Sequence, residues 1–413
     1  MHVLLVSQYF HPEVGATQTR MLEFARGLTA KGHRVTVLTE FPNHPHGIIP
    51  DVYRGKLFAE ENLESFTVLR TWVWTTPVKT FWSRIAFYLS FMVLAILRGL
   101  LYRPRVDAVV ATSPPLFSGV VGWAISRWKG AKFLLDIRDI WPAAAVALGE
   151  LRSPLALKWA GWLERRLYRA ADCITAVTKG FCAHIATVGA DASKIHWLPN
   201  GTVEGLFTPE RCEAGLKAQL GLEGRFVVTF AGTHGIAQGL SAVLDAAKHL
   251  TGEPVTFLFI GDGPVKFALV ECARAEGLDN VVFHAQVPLT RIPPYLNLSD
   301  ALLVPLRNDP IFSSFIPSKL FDSMACAKPV ILMVDGEARS LLEQARAGLY
   351  VAAEDAGALA EAVRWLRAHP EESREFGDRG RKFVLENFTR SRQAEQLEDL
   401  LGQVVDGRAP DRA

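Results

Sequence analysis

Short apolar runs alternate with longer amphipathic ones along almost the whole chain. In the first half the runs at 2–7, 34–39, 66–72, 107–111, 132–137, 173–177 and 195–198 read as strands. Between several of them apolar positions recur at helical spacing, over 17–31, 117–128, 154–171 and 179–187. The series restarts at Phe226–Ala231, with strands expected at 255–260, 281–284, 300–304, 329–333 and 349–351. Helices are expected between them at 239–250, 264–276, 318–327, 338–345 and 355–368. Such alternation builds parallel sheets with helices on both faces. Two series in tandem predict an α/β protein of two doubly wound domains facing each other across a cleft. Ligands should then bind at the carboxyl ends of the strands. Asn-Gly turn chemistry in Pro199–Gly205 marks the linker, giving domains of 1–203 and 204–387. The polar helices at 371–386 and 390–405 precede no further strand, and the helix at 388–413 is expected to pack back on the first domain.

Residues 81–103 depart from this rhythm. Ile85 to Leu97 carry no charge, while Trp82, Tyr88 and Tyr102 lie near the ends with Arg84, Arg98 and Arg103. The thirteen uncharged residues fall short of the roughly 20 that a comfortable span requires. Three readings stand: a helix embedded in one leaflet with arginines at the headgroups, a buried core helix, and, disfavoured by that shortfall, a full transmembrane span. A second basic amphipathic stretch, 155–169, sets Leu155, Trp159, Trp162 and Leu163 against Lys158, Arg165, Arg166 and Arg169. Core packing is the role expected of it, because the strand at 173–177 needs a covering helix.

Composition narrows the class. With 413 residues, 49% hydrophobic and 21% charged, the chain fits two well-packed globular domains. Its five cysteines are scattered with no CxxC pair, as expected of free thiols in a reducing compartment. The N-terminus enters an apolar strand at Val3–Val6 without a basic leader, so a cytoplasmic protein is expected. Residues 1–203 hold 23 Lys and Arg against 14 Asp and Glu, while 204–413 hold 22 against 29. That asymmetry suggests an anionic partner, such as a membrane surface, for the first half alone; accidental surface composition is the other explanation. No basic run is interleaved with aromatics in a nucleic-acid module, so nucleic acid is not an expected partner.

Polar turns at strand ends carry the candidate chemistry. Gly261-Asp262-Gly263-Pro264 follows an apolar strand and opens a helix. It is either a close-approach loop for a ligand or a tight structural turn. Ala231–Gly239 places Thr233, His234 and Gln238 among three glycines, the composition of a loop that wraps a diphosphate. In Ile316–Asp322, Ser318 is expected to cap a helix beginning near Lys319. Free N–H groups, the helix dipole and the Lys319 ammonium would there receive an anion, with Asp322 one turn on for sugar hydroxyls. Capping and surface charge alone would also account for these residues. In the first half, Gly15, Ala16 and Thr17 close a polar loop between a strand and a helix, facing the second-half turns. Asp136, Arg138 and Asp139 end an apolar strand, where Arg138 and Asp139 could orient a hydroxyl or take its proton; a buried Arg–Asp structural pair is the alternative. His44 and His46 lack partners at ligand spacing, so His44 is assigned to an acceptor-side loop and no metal is expected.

In order and spacing these segments resemble the family 4 glycosyltransferases, retaining enzymes of the GT-B fold with two Rossmann-like domains. The likeness runs through Gly15-Ala16-Thr17, Leu198-Pro199-Asn200-Gly201, Gly261-Asp262-Gly263-Pro264, Asp300–Pro305 and Phe321–Val330. Phe41-Pro42-Asn43, Asp139-Ile140-Trp141-Pro142, Thr233-His234-Gly235 and Pro317-Ser318-Lys319 look like a branch that builds bacterial surface polysaccharide, including acetylfucosamine-type transferases. Two departures stand out. The family's spaced pair of glutamates corresponds here to Ser314 and Asp322, and its usual Arg and Lys to Thr233 and Gln238.

The resemblance implies transfer of a sugar from a nucleotide diphosphate, expected to be a UDP-linked HexNAc or deoxy-HexNAc, to a polyprenyl-linked saccharide. Retention, no cofactor and no metal are implied with it. Donor contacts fall to Gly15, Ala16, Thr17, Thr233, His234, Gln238, Gly261, Gly263, Ser318 and Asp322, and catalysis to Lys319, Asp139 and Arg138. Acceptor and membrane contacts fall to His44, Trp82, Arg84 and Arg98, placing the protein peripherally on the inner face of the cytoplasmic membrane. With Lys319 the one cation in these turns, Arg20 or Arg138 is expected to add charge at the diphosphate. A UDP-sugar epimerase of the same fold and a degenerate, non-catalytic assembly partner are the rivals.

Overall fold

A computed structural model describes every residue except Pro45, 78–79, 148–152, 211–212, 214 and 408–413, together with the side chain of Phe81. The end of the expected 388–413 helix and Cys212 therefore lie outside the described residues. The chain divides into two compact units, Met1–Pro199 with Arg390–Ala413, and Asn200–Thr389.

The first unit carries eight strands: β1 His2–Val6, β2 Arg34–Glu40, β3 Phe58–Leu63, β4 Phe66–Thr71, β5 Ala108–Ser113, β6 Lys132–Ile137, β7 Cys173–Ala176 and β8 Ile195–Trp197. Their spatial order is β3-β4-β2-β1-β5-β6-β7-β8, parallel except that β3 runs antiparallel to β4. β1 lies between β2 and β5, the order reversal that makes a doubly wound sheet. Apolar residues on both faces of β1 and β5 explain why both strands are buried throughout. β3 was not expected. Its Phe-Ala-Glu-Glu-Asn-Leu sequence is only half-buried, and the charges suit the sheet edge it occupies.

The second unit holds β9 Phe226–Ala231, β10 Val255–Ile260, β11 Val281–His284, β12 Ala301–Pro305, β13 Val330–Met333 and β14 Gly348–Tyr350. All pairings are parallel, in the order β11-β10-β9-β12-β13-β14. The one-turn helix Leu216–Gln219 and the Pro-Pro-bearing helix Ile292–Leu298 were also missed, being too short to show a period. The expectation of tandem doubly wound α/β sheets holds.

The helix Arg390–Val405 belongs to the first unit. Leu397, Leu401 and Val404 enter a core with Met21, Phe24 and Leu28, and Glu398 meets Lys31 at 2.6 Å and His33 at 2.9 Å. A Cβ on Gly27 would lie 2.3 Å from that of Ala394, so the two helices touch backbone to side chain.

Two helices differ from expectation. In Pro154–Ala170 the core-facing residues are Ala160, Glu164, Leu167 and Tyr168, while Leu155, Trp159 and Trp162 are 68%, 63% and 46% exposed. The stripe read as core is thus rotated outward by one residue, about 100° round the helix. The helix Phe81–Leu101 opens with a Thr80–Ser83 capping box and buries a narrow line through Phe91, Ala95 and Gly99. Leu89, Val93, Leu97 and Leu101, on the opposite face, remain exposed. It is neither a core helix nor wholly free of the domain. Arg98, expected at headgroups, instead meets Glu60 of β3 at 2.8 Å.

Candidate active site

In the second unit, the loops after β9 and β10 are built on each other. The backbone N–H of His234 donates to Asp262 O at 2.9 Å, and that of Val265 donates to His234 O at 3.2 Å. A Cβ on Gly261, which has φ 138°, would fall 2.0 Å from Gly232 O, and one on Gly263 would fall 2.5 Å from His234 O. Only glycine allows that approach. Gly261 and Gly263, expected to line a ligand, therefore make room for the neighbouring loop. Lys266 fastens the same corner, its ammonium donating to Gly261 O at 2.7 Å and His284 O at 2.8 Å. Nothing in the linear pattern singled out Lys266.

His234, expected to contact the donor, is instead a core residue. With both its backbone groups held by the β10 loop, its ring turns inward and is fully buried. It meets the rings of Phe230, Phe259 and Phe283 at centroid distances of 5.7, 6.1 and 6.4 Å. Burial, aided by the charges of Lys266 and Lys319, pushes its pKa down to about 4, so the ring is neutral. It stiffens the loop from below, while Thr233 stays exposed and Gln238 partly exposed.

The helix Ser318–Ala325 aims its start at this loop. Pro317, not Ser318, occupies the N-cap, and no side-chain cap is made. Ser318 is the first helical residue, because Pro317 has the extended conformation a cap requires. Lys319 reaches back over β9. Its Nζ donates to Gln238 Oε1 at 2.7 Å and stands 3.9 Å above the Phe230 ring centroid. A Cβ on Gly232, at φ 146°, would come within 3.2 Å of that Nζ, so this glycine also clears the ammonium. Among the described residues no carboxylate pairs with Lys319, and burial alone lowers its pKa to about 7. An ammonium held by one amide oxygen and an aromatic face, without a counter-ion, is arranged to gain an anion. Asp322 is partly exposed on the next turn of the same helix.

The strand ends of the first unit are organised differently. Asp136 and Arg20, both fully buried, form a two-pronged pair at 2.8 and 3.0 Å, and Thr175 adds a hydrogen bond at 2.8 Å. Burial would raise the Asp136 pKa, but the Arg20 guanidinium holds it below the ordinary value. Arg20 also donates to Leu198 O and Pro199 O at 3.0 and 2.9 Å. It is committed to structure and adds no charge for a ligand, which corrects one expectation. Arg138 donates to Thr112 Oγ1, Thr17 Oγ1 and Pro114 O. Burial lowers its pKa to about 10. It thereby holds Thr17, at the start of the helix Ala16–Ala30 that Gly15 precedes. Asp139 has one carboxylate oxygen buried without a partner among the described residues, and burial raises its pKa to about 6 against the pull of Arg138. A carboxyl poised near neutrality suits proton handling or the orientation of a hydroxyl.

Two further carboxylates escaped the sequence reading. Glu13 Oε1 accepts the backbone N–H groups of Asn43 and His44, both at 2.8 Å, while Glu40 Oε1 accepts Asn43 Nδ2 at 2.7 Å. Burial raises both carboxyls, and the Glu13 charge raises Glu40 further. Together they fix the loop bearing His44, which is exposed and meets Tyr9 edge-on at 6.1 Å. The available signal was a carboxylate ending an apolar strand, Val-Thr-Val-Leu-Thr-Glu, the same signal that marked Asp136.

Family models match both units: a glycosyl transferase 4-like domain over residues 15–201 and a glycosyl transferases group 1 domain over 215–383. The chain is 24% identical over 342 residues to the putative colanic acid biosynthesis glycosyl transferase WcaI of Escherichia coli, covering 81% of this chain and 84% of that one. Among solved structures it is similar to Anabaena HepE in complex with UDP-glucose, at TM-score 0.70 and 16% identity over 98% of this chain and 100% of that one. It is likewise similar to the sucrose-phosphate synthase of Thermosynechococcus elongatus, at TM-score 0.71 and 20% identity over 98% and 99%. These likenesses identify the two-domain GT-B fold.

Proposed function

Because the chain belongs to the GT-B glycosyltransferases, with a family 4-like first domain and a group 1 second domain, we propose that it transfers a sugar from a nucleotide diphosphate to a polyprenyl-linked saccharide in surface polysaccharide synthesis. The donor is a UDP-linked HexNAc or deoxy-HexNAc, and the anomeric configuration is retained. The similarity to a colanic acid transferase supports the pathway class, and the UDP-glucose complex of a structural neighbour supports the nucleotide.

The observation that carries the reading is Lys319, a desolvated ammonium without a carboxylate partner among the described residues, held by Gln238 at the start of a helix. Negative charge grows on the leaving diphosphate as the sugar–phosphate bond breaks. A fixed cation at the positive end of a helix stabilises that charge without solvent reorganisation, and no metal is needed. Asp322 takes the ribose hydroxyls. In the first domain Asp139 orients the attacking hydroxyl, while Arg138 keeps Thr17 and its helix start in place. The first domain meets the inner face of the cytoplasmic membrane, where a lipid-linked acceptor resides.

The test is product analysis with UDP-GlcNAc, UDP-FucNAc and UDP-glucose, each with and without a short polyprenyl-diphosphate saccharide. Acceptor-dependent release of UDP and a longer saccharide is the expected result. Conversion of the donor sugar without acceptor would instead mean an epimerase. Failure to bind any nucleotide sugar in calorimetry, with GDP-, ADP- and dTDP-sugars included, would mean a non-catalytic partner.

A further inference from the structure

We propose that the outer faces of three neighbouring helices of the first unit form one docking surface for an anionic lipid bilayer, which rests on and deepens the membrane-facing reading above. The helices are Phe81–Leu101, Leu116–Lys129 and Pro154–Ala170. They lie side by side: Tyr88 stacks on Phe117 at 5.9 Å, and Cβ atoms on Gly99 and Gly119 would strike Ile125 at 2.2 Å and Leu167 at 2.9 Å. Small residues at these contacts bring the helices close, so their outer rows adjoin.

Those rows are apolar where a soluble surface would be polar. Trp128 is 71% exposed on the middle helix, Val93 and Leu97 are exposed on one neighbouring helix, and Trp159 and Trp162 on the other. A patch spread over three helices exceeds the scattered apolar residues of an ordinary surface.

Charge identifies the occupant. The three helices together carry eight Lys or Arg and one acid, Glu164, which is buried and hydrogen-bonded to Tyr168. Cations adjoin the indoles: Arg127 precedes Trp128, Lys158 precedes Trp159, and Arg166 stands 5.6 Å from the Trp162 ring centroid, while Lys129 turns to the Tyr102 carbonyl. Tryptophan beside Arg and Lys, with aliphatic residues between, matches the headgroup layer of an anionic bilayer. A protein interface also favours tryptophan and arginine, so it is the one-signed charge of the three helices, with their one acid buried, that points to an anionic surface. The geometry also sets the mode of contact. The helix Phe81–Leu101 is long and apolar enough to cross a membrane, but its Phe91–Ala95–Gly99 line is packed into the domain. It therefore lies along the surface, in the plane of its two neighbours.

The test uses the full chain with vesicles of phosphatidylcholine alone and of phosphatidylcholine mixed with phosphatidylglycerol. Binding is followed by co-sedimentation and by tryptophan quenching with brominated lipid. Binding only to the anionic vesicles, with quenching, is expected. Arg165→Glu with Arg166→Glu should lower partitioning at least about tenfold, since each cation near an anionic surface contributes severalfold. Trp159→Ala with Trp162→Ala should lower it too, and matching circular-dichroism melts confirm that both variants fold. Absence of vesicle binding, or binding that neither pair of substitutions changes, overturns the surface. So does a dimer that the tryptophan variants dissociate, without lipid binding. Transfer to a water-soluble acceptor separates the two readings. Activity without vesicle binding overturns the surface alone, and vesicle binding by a chain that turns over no nucleotide sugar leaves the surface standing.

Discussion

The two units share a doubly wound sheet but treat charge in opposite ways. At the strand ends of the first, Asp136 is closed by Arg20, and Arg138 is tied to two hydroxyls and a carbonyl. At those of the second, backbone fits against backbone through Gly232 and Gly261, and Lys319 is left without a carboxylate among the described residues. The outer surfaces differ as well. All six exposed tryptophans among the described residues lie in the first unit, whereas Ile236 and Phe267 are the large apolar residues exposed in the second. Charge that is satisfied within a domain holds its shape, and charge left unsatisfied is available to a ligand.

The sharpest way to break that contrast is to unpair the first unit. Arg20→Met leaves Asp136 buried with its carboxylate unmatched, which should destabilise the protein by about 3–5 kcal/mol, read as a lower urea midpoint. Adding Asp136→Leu should recover much of that loss. A small effect of the single substitution would mean that the pair is not structural.

Lys319→Ala is the complementary experiment. It should lower kcat by about 100-fold or more, corresponding to about 3 kcal/mol at the transition state. Its thermal midpoint should stay equal or rise, because an ammonium desolvated without a counter-ion favours the unfolded state. A fall in stability as large as that of Arg20→Met would place Lys319 with the structural charges.

The smallest expected effect is a pH dependence. The folded-state pKa of Lys319 is lowered to about 7 from 10.5, so between these values the unfolded chain binds more protons and stability contributed by this group rises with pH. UDP binding runs the other way. It needs the ammonium, so affinity should be highest below pH 7 and weaken above it, by at most about tenfold per unit. Lys319→Arg, which stays charged, should flatten the calorimetric profile. An unchanged profile would separate Lys319 from the diphosphate.

Much of the fold was legible along the chain because strand and helix periods are local. β3 escaped because an edge strand can carry charge, and Ile292–Leu298 because it is shorter than a readable period. The candidate site was legible as turns but not as contacts. Glycines at 261 and 263 mark places where something comes close, and they read the same whether that is a phosphate or the neighbouring loop. His234 could be singled out between two glycines, but its inward turn follows from Asp262 O and Val265 N–H, which are supplied by another strand end.

By itself, the sequence determined the two tandem βα series, the absence of a charged residue over most of 81–103, the excess of cations in the first half and the presence of one lysine at the start of a helix. Each depends on residues near one another in the chain. Tertiary structure decided which way an amphipathic stripe faces, so the tryptophans of Pro154–Ala170 point outward although their spacing would equally suit a core. It also decided which charges are neutralised: Arg20 meets a carboxylate 116 residues away, while Lys319 meets an amide oxygen 81 residues away and the Phe230 ring. Both cations carry the same charge in the sequence. Burial and the partner that folding brings to each make one a structural element and the other a candidate for chemistry.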